Sequence, residues 1–438
     1  MKNAEKITEY AIAITLFITG FIVYMLALTR TWMVPGIDGP YYVVQVNYLL
    51  SHGVLKYQDP PLVFYFFALL SLLVDDPFLG VKIGVSIMTA LASVPVYFLF
   101  KKVTNSNIAG FTSGLIFLLA PQTFRLLGDF MKNSSGMLWL NMYIYFLYIC
   151  LDRKNWKTQV IAVTFLILTG LTHILDYGIA FCYTLLFVML ALFSKISIKN
   201  VLLPFTATIL SLVAFFTVPA IVGGDVFKGV AFLKDIIEQD YSKMAPLRIE
   251  WIIFSWAAMA SLLVYSILSA KRGDKKAFIL ASSSTIVISA INLPILPRQW
   301  LFRFQLMTPI PMAHAFGFVV GDIKDEWRRL AFLLLLTGII STIALPAFYS
   351  IRPSIPVEEY LELRHVVEKV VPSLSPNSCI VVPNARIRYW VETFQEKVYS
   401  KPTGDACSKL IFIFETRKGK LIKGKVIFKG KFIQAVTP

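Results

Sequence analysis

PPLVFYFFALLSLLV, residues 60–74, is the stretch on which the architecture of this chain turns. It is apolar but short, opens with two prolines and closes at Asp75-Asp76-Pro77. A helix needs about 20 apolar residues to cross roughly 30 Å of hydrocarbon. Eleven other segments read as spans: 10–29, 82–100, 108–123, 135–151, 158–173, 177–194, 200–221, 251–270, 276–294, 308–321 and 330–349. Whether 60–74 crosses sets the side of the membrane for everything after it. If it does not cross, the loops sharing a side with the amino terminus (1–9, 101–107, 152–157, 195–199, 271–276, 322–329) hold 16 Lys and Arg in about 40 residues. The opposite loops hold 10 in roughly 105, so basic residues lie on the cytoplasmic side throughout. A crossing would export Lys101-Lys102, Lys271-Arg272 and Arg328-Arg329. The segment therefore reads as a juxtamembrane or re-entrant helix inside one large external loop, 30–81.

Composition agrees with a bilayer as the main solvent. Of 438 residues, 57% are hydrophobic and 16% charged, with mean hydropathy +0.68. The net charge of +16 is accounted for largely by membrane loops, so no nucleic-acid partner is expected. The stretch Met1–Glu9 is charged and shows no small-residue cleavage site, so Tyr10–Leu28 reads as a retained span. The expected fold is an α-helical polytopic membrane protein of about 11 spans, residues 1–350, followed by a small external α/β domain, 351–438. In that domain 357–371 has helical periodicity, while 379–382, 410–414 and 425–436 read as strands. Cys379 and Cys407 either form a disulfide there or remain buried thiols. The basic tail, Arg417 to Lys431, faces either water or anionic headgroups.

This topology places Asp38, Asp59, Asp75, Asp76, Asp129, Lys132, His173, Asp176, Arg298 and Arg303 at external span ends or in external loops. Ionisable residues near membrane depth are costly and mark sites, although the cost falls at the interface. Asp38 lies in PGIDGP (35–40), where glycine and proline hold a turn ahead of an amphipathic helix over 41–52 that carries Tyr42, Gln45 and Tyr48. Its carboxylate either accepts a proton from a hydroxyl arriving from the aqueous side or caps that helix.

The stretches GIDGPYYVVQVNYLLSHG (36–53) and DPPL (59–62) together resemble the first external loop of the C-type membrane glycosyltransferases. That superfamily includes protein O-mannosyltransferases, lipid A aminoarabinose transferases and oligosaccharyltransferase catalytic subunits. Beyond the first loop the resemblance rests on the order of spans and the external terminal domain. It implies transfer of a hexosyl or pentosyl unit from a polyprenyl (dolichyl) phosphate or diphosphate carrier to a glycan, glycolipid or protein acceptor at the external face. Asp38 stands where the family places its acceptor-activating carboxylate. Gly39 stands where many members have a second acid, Asp59 where several have His, and the Trp-Trp-Asp motif of oligosaccharyltransferases is missing, which argues against transfer to asparagine.

A departing phosphate bears charge that a cation must stabilise. RQWLFR (298–303) supplies Arg303 and Arg298, and Gln305 and Lys132 complete the expected phosphate ligands. Interfacial Arg and Trp also anchor helices without any such role. Tyr42, Asp59, Asp129, His173 and Asp176 are the expected acceptor or sugar contacts. Arg125, Asp129 and Lys132 serve structural ion pairing equally well. No resident metal or other cofactor is expected; were Mn²⁺ or Mg²⁺ used, Asp38, Asp129 and Asp176 would be the oxygen ligands. The loop 222–250, with Lys228, Lys234, Asp235, Glu238, Asp240 and Arg248, reads as a cover over the site. The alternative in another class is a transporter or flippase for a lipid-linked saccharide. Such a protein should show an internal repeat or mid-span acids, and neither is present in the sequence.

Overall fold

The computed structural model describes residues 2–152, 155–224, 226–238, 249–293, 295–374, 378–402, 409–416 and 424–438. Helices follow in the order α1 (Lys2–Leu28), α2 (Gly39–His52), α3 (Leu62–Val74), α4 (Pro77–Leu91), α5 (Ser93–Thr104), α6 (Asn107–Leu119), α7 (Pro121–Asp129) and α8 (Met131–Cys150). Then come α9 (Trp156–Thr172), α10 (Ile174–Phe193), α11 (Leu202–Thr217), α12 (Val226–Glu238), α13 (Ile249–Lys271) and α14 (Lys275–Ile291). The last of the membrane part are α15 (Arg298–Gln305), α16 (Pro309–Asp322) and α17 (Glu326–Ser350).

Among the described residues, five stretches are long and apolar enough to cross a bilayer: Ala4–Leu28, Pro77–Thr104, Ile174–Phe193, Ile249–Lys271 and Glu326–Ser350. Helices α3, α6, α9 and α11 are apolar but shorter. At the expected spans 135–151, 276–294 and 308–321 stand α8, α14 and α16, which carry buried polar groups such as Asn141, Ser284 and His314. Helix α3 has 13 residues and rises about 20 Å, short of the roughly 30 Å of hydrocarbon. It ends in a tight reversal: Asp75 is left-handed (φ 52°), and the Asp76 carboxylate accepts from Phe78 N (2.8 Å) and Leu79 N (3.3 Å) to start α4.

The chain forms two compact units. The first comprises Met1–Ala27, Gln58–Phe66 and Ile83–Ser350. It turns apolar side chains outward, with Ile253 61% and Leu334 66% exposed, and keeps Thr89, Ser134, Asn141 and Ser284 inside. That inversion suits a hydrocarbon surround, where interhelical hydrogen bonds join the helices. Thr89 and Ser134 hydroxyls meet at 2.7 Å, and Ser284 meets His314 Nδ1 at 2.8 Å. The α4/α5 helix breaks at Ala92, three residues ahead of Pro95, and Asn141 donates to the Ala92 carbonyl at 3.1 Å. Gly110 and Gly114 let α6 lie directly on α5, since a Cβ at 110 would fall 2.6 Å from the Tyr97 carbonyl.

The second unit comprises Leu28–Tyr57, Phe67–Lys82 and Ile351–Pro438. Its helices α18 (Val357–His365), α19 (Val371–Leu374) and α20 (Ala385–Glu392) accompany strands β1 (Ser378–Val381), β2 (Val398–Tyr399), β3 (Lys409–Glu415), β4 (Lys425–Lys429) and β5 (Ile433–Thr437). The sheet order is β2-β1-β3-β5-β4. β1 runs parallel to β2 and β3, and β5 antiparallel to β3 and β4. Trp390 is wholly buried at its centre, and Arg386 bridges Glu359 and Glu415. The first loop is knitted in by backbone: Gly36 N donates to Arg352 O (2.9 Å) and Lys82 Nζ to the Thr31 and Trp32 carbonyls (2.7 and 2.8 Å). Cys379 is disulfide-bonded and Cys150 and Cys182 are free, while Cys407 lies outside the described residues. Asp240, Arg248, Arg417, Lys418, Lys420 and Lys423 also lie outside them.

Candidate active site

In the first unit, four of the expected residues form a string. Lys132, in the first turn of α8, donates to the Asp59 carboxylate, and both side chains are almost wholly buried. Lys132 also acts electrostatically on Asp176, in the first turn of α10. Asp176 Oδ2 lies 3.4 Å from His173 Nδ1. Asp176 has no exposed surface, and neither of its oxygens has a hydrogen-bond partner among the described residues. Room for it exists because residue 136, one turn along α8 from Lys132, is glycine: a Cβ there would lie 2.0 Å from Asp176 Oδ2.

Asp59 is held from behind. Gly223 (φ +58°) lies so close that a Cβ would fall 2.2 Å from the Asp59 nitrogen and Cα. Asp129 pairs with Arg125 along α7, and Arg125 lies over the Phe302 ring of α15 at 6.0 Å. On the same short helix Arg303 covers Trp300 at 5.5 Å, so that pair meets the anchoring geometry, and a guanidinium on an indole keeps its hydrogen-bonding edge available. Gln305 is buried; its amide nitrogen reaches Asn292 at 3.5 Å. Arg298 begins α15. Asp235 of α12 accepts from both Gln299 and Trp300 at 2.7 Å, tying the expected cover to the helix that carries the arginines.

A cavity of about 530 Å³ opens beside these elements. Ile174, Tyr177, Cys182, Phe216, Trp300 and Phe304 line it, and Lys228 is the charged residue among the described lining. The first turn of α10 thus faces two ways, Ile174 to the cavity and Asp176 to the polar string. Nothing in the sequence pointed to this cavity, because its walls come from five helices, α10, α11, α12, α14 and α15, spread over residues 174–304. Among the described residues, no group of three His, Cys, Asp or Glu stands close enough to hold a metal.

Asp38 and Tyr42 belong to the second unit. Asp38 precedes α2 yet its side chain makes no capping hydrogen bond, so capping does not explain the carboxylate. It acts electrostatically on Tyr389, whose hydroxyl is pushed up by burial, opposed by Arg388, with Asp38 and Glu392 adding to the rise. The Tyr42 ring is buried edge-on to Tyr41 and Phe67. Sequence reasoning missed Glu392. Its buried carboxylate accepts from Tyr57 (2.7 and 2.8 Å) and faces Lys56 and Arg388 at 3.5 Å. Burial and that bond keep the Tyr57 hydroxyl protonated. Gln45, expected only as a helix-face residue, clamps both backbone groups of Tyr57 (2.8 and 2.9 Å).

These features define a helical membrane protein with the fold of the C-type glycosyltransferases. The chain superimposes on ArnT from Cupriavidus metallidurans solved with undecaprenyl phosphate, with TM-score 0.62, 10% identity and 97% of each chain covered. It matches the apo structure of that protein with TM-score 0.58 and 9% identity, over 96% of this chain and 97% of the other. A weaker likeness is to the arabinofuranosyltransferase AftD from Mycobacteria, with TM-score 0.45 and 12% identity over 84% of this chain and 29% of that one. The resemblance read from the first external loop is thus borne out as a shared fold. By sequence, the chain belongs to the family described as "6-pyruvoyl-tetrahydropterin synthase related domain; membrane protein", whose model matches residues 55–351. No curated protein matches it in sequence.

Proposed function

We propose that the protein is a membrane glycosyltransferase that moves a sugar from a polyprenyl phosphate carrier to a glycan, glycolipid or protein acceptor at the extracytoplasmic face. One observation carries this reading. An apolar cavity of about 530 Å³, sized for part of a prenyl chain, is lined in part by the arginine-bearing helix α15, in a fold shared with a structure solved with undecaprenyl phosphate. The tail lies in the cavity. Arg303, with Arg298, Lys132 and Gln305, holds the phosphate, where charge grows as the glycosidic bond breaks. Asp38 takes the acceptor proton as its oxygen attacks the anomeric carbon, and direct displacement inverts that carbon. Asp129, His173 and Asp176 serve the sugar or the acceptor. The eleven-span topology, with a cytoplasmic amino terminus and an external second unit, belongs to the same proposal.

The test is transfer of radiolabel from polyprenyl phosphate sugar to membranes of cells lacking the gene, with purified protein added. Wild type releases polyprenyl phosphate only when those membranes are present. Asp38→Asn lowers the rate at least about 100-fold, as loss of a general base does, while expression and carrier binding persist. Retained transfer in that variant removes Asp38 from the mechanism. Movement of the lipid across vesicles without transfer would make the protein a transporter.

A further inference from the structure

Lys132 is the expected phosphate ligand that the fold already occupies. Its ammonium donates to Asp59 within the buried string, in the same unit as the cavity and α15. We propose that Asp59 holds Lys132 in reserve, so that the Asp59 carboxylate and the carrier phosphate compete for one ammonium. The inference rests on the reading that the chain binds a polyprenyl phosphate, and it gives Asp59 the role of a positioning residue in place of a sugar contact.

The geometry says which partner moves. Asp59 is fixed in its backbone: Gly223 sits against its nitrogen and Cα, and Pro60-Pro61 restrict the chain on the other side. Lys132 carries a four-carbon stem with rotatable donors, so it can swing where the carboxylate cannot. Asp176 already interacts electrostatically with Lys132. Its buried carboxyl has no hydrogen-bond donor among the described residues, so the second acid here offers Lys132 a weaker hold than the Asp59 carboxylate does. Gly136 is the space that permits this second acid.

The chemistry supplies the reason to move. A polyprenyl phosphate sugar is a phosphodiester with one negative charge, comparable to the Asp59 carboxylate. When the acceptor oxygen bonds to the anomeric carbon, the bond from that carbon to the phosphate oxygen breaks with its electron pair. The acceptor proton goes to the base, and the carrier leaves as a phosphomonoester of nearly two charges. An ammonium shared evenly with the diester passes to the monoester as charge develops, which stabilises the transition state more than the ground state.

The probe is undecaprenyl phosphate, titrated into the full-length protein in detergent. Asp59→Asn is expected to bind it about tenfold more tightly, since a competing charge is gone. Lys132→Met is expected to bind it at least about tenfold more weakly, and in that background Asp59→Asn has no effect, the signature of coupling through one ammonium. A damaged site would loosen in every case. Should Asp59→Asn not fold, Asp59→Ser empties the same position and carries the same expectation. Unchanged or weaker binding with Asp59 replaced, alongside measurable wild-type binding, overturns the competition alone. No binding by the wild type overturns the functional reading and the competition with it.

Discussion

Gly223 and Gly136 show how single residues set the acids of the first unit. At 223 both the positive φ and the contact with Asp59 exclude a side chain, and at 136 the Asp176 carboxylate occupies the space. Gly223→Ala should cost about 2 kcal/mol or more, read as a lower unfolding temperature in detergent. Gly338→Ala, with open space around it in α17, serves as the neutral control. Glu359 offers a test in the second unit. Burial raises its carboxyl above the ordinary range, with Arg386 opposing the rise. A raised native value means that the folded state binds the proton more tightly than the unfolded chain. The stability this confers is full below the ordinary carboxylate range and is lost as pH rises through the raised value. Glu359→Gln should flatten that slope in unfolding temperature against pH, and an unchanged slope would assign it to other groups. The acids and bases themselves were legible as types in the sequence. Their pairing was not: Asp59 and Lys132 lie 73 residues apart, and Tyr57 and Glu392 lie 335 apart.

Among the elements, α3 carries the topology. Its 13 residues end in the Asp75–Asp76 reversal, whereas α6, of the same length, continues past Ala120 into α7. Length alone therefore does not distinguish the two. The turn at Asp75-Asp76-Pro77, visible in the sequence, supports the proposal that α3 does not cross. Thr104→Cys, at the end of α5, should react with an impermeant maleimide only from the cytoplasmic side of intact cells or vesicles. Labelling only from the outside would show that 60–74 crosses, reverse every later loop and dissolve the proposed external site. Strands were legible where β-branched and aromatic residues cluster, as in Cys379–Val382 and Leu410–Phe414. The run 425–436 also read as strand, but it divides into β4 and β5 around Gly430, where the backbone hydrogen-bonds across a turn to Ile433.

For the molecule as a whole, hydropathy was enough to indicate a helical membrane protein and local patterning a small α/β terminal part, because both depend on how short segments partition between water and an apolar surround. Periodicity placed most helices for the same reason. The assignment of residues 28–57 and 67–82 to one compact unit with 351–438 came only from the folded chain, since the contacts of Arg30 and Gly36 with residues 351 and 352 span more than 300 positions. The apolar cavity and the Asp59–Lys132–Asp176 string likewise exist only in three dimensions. Whether an aspartate is a ligand, a cap or the keeper of a lysine depends on which charge the fold brings within reach and how much water it excludes, and neither is written in local sequence.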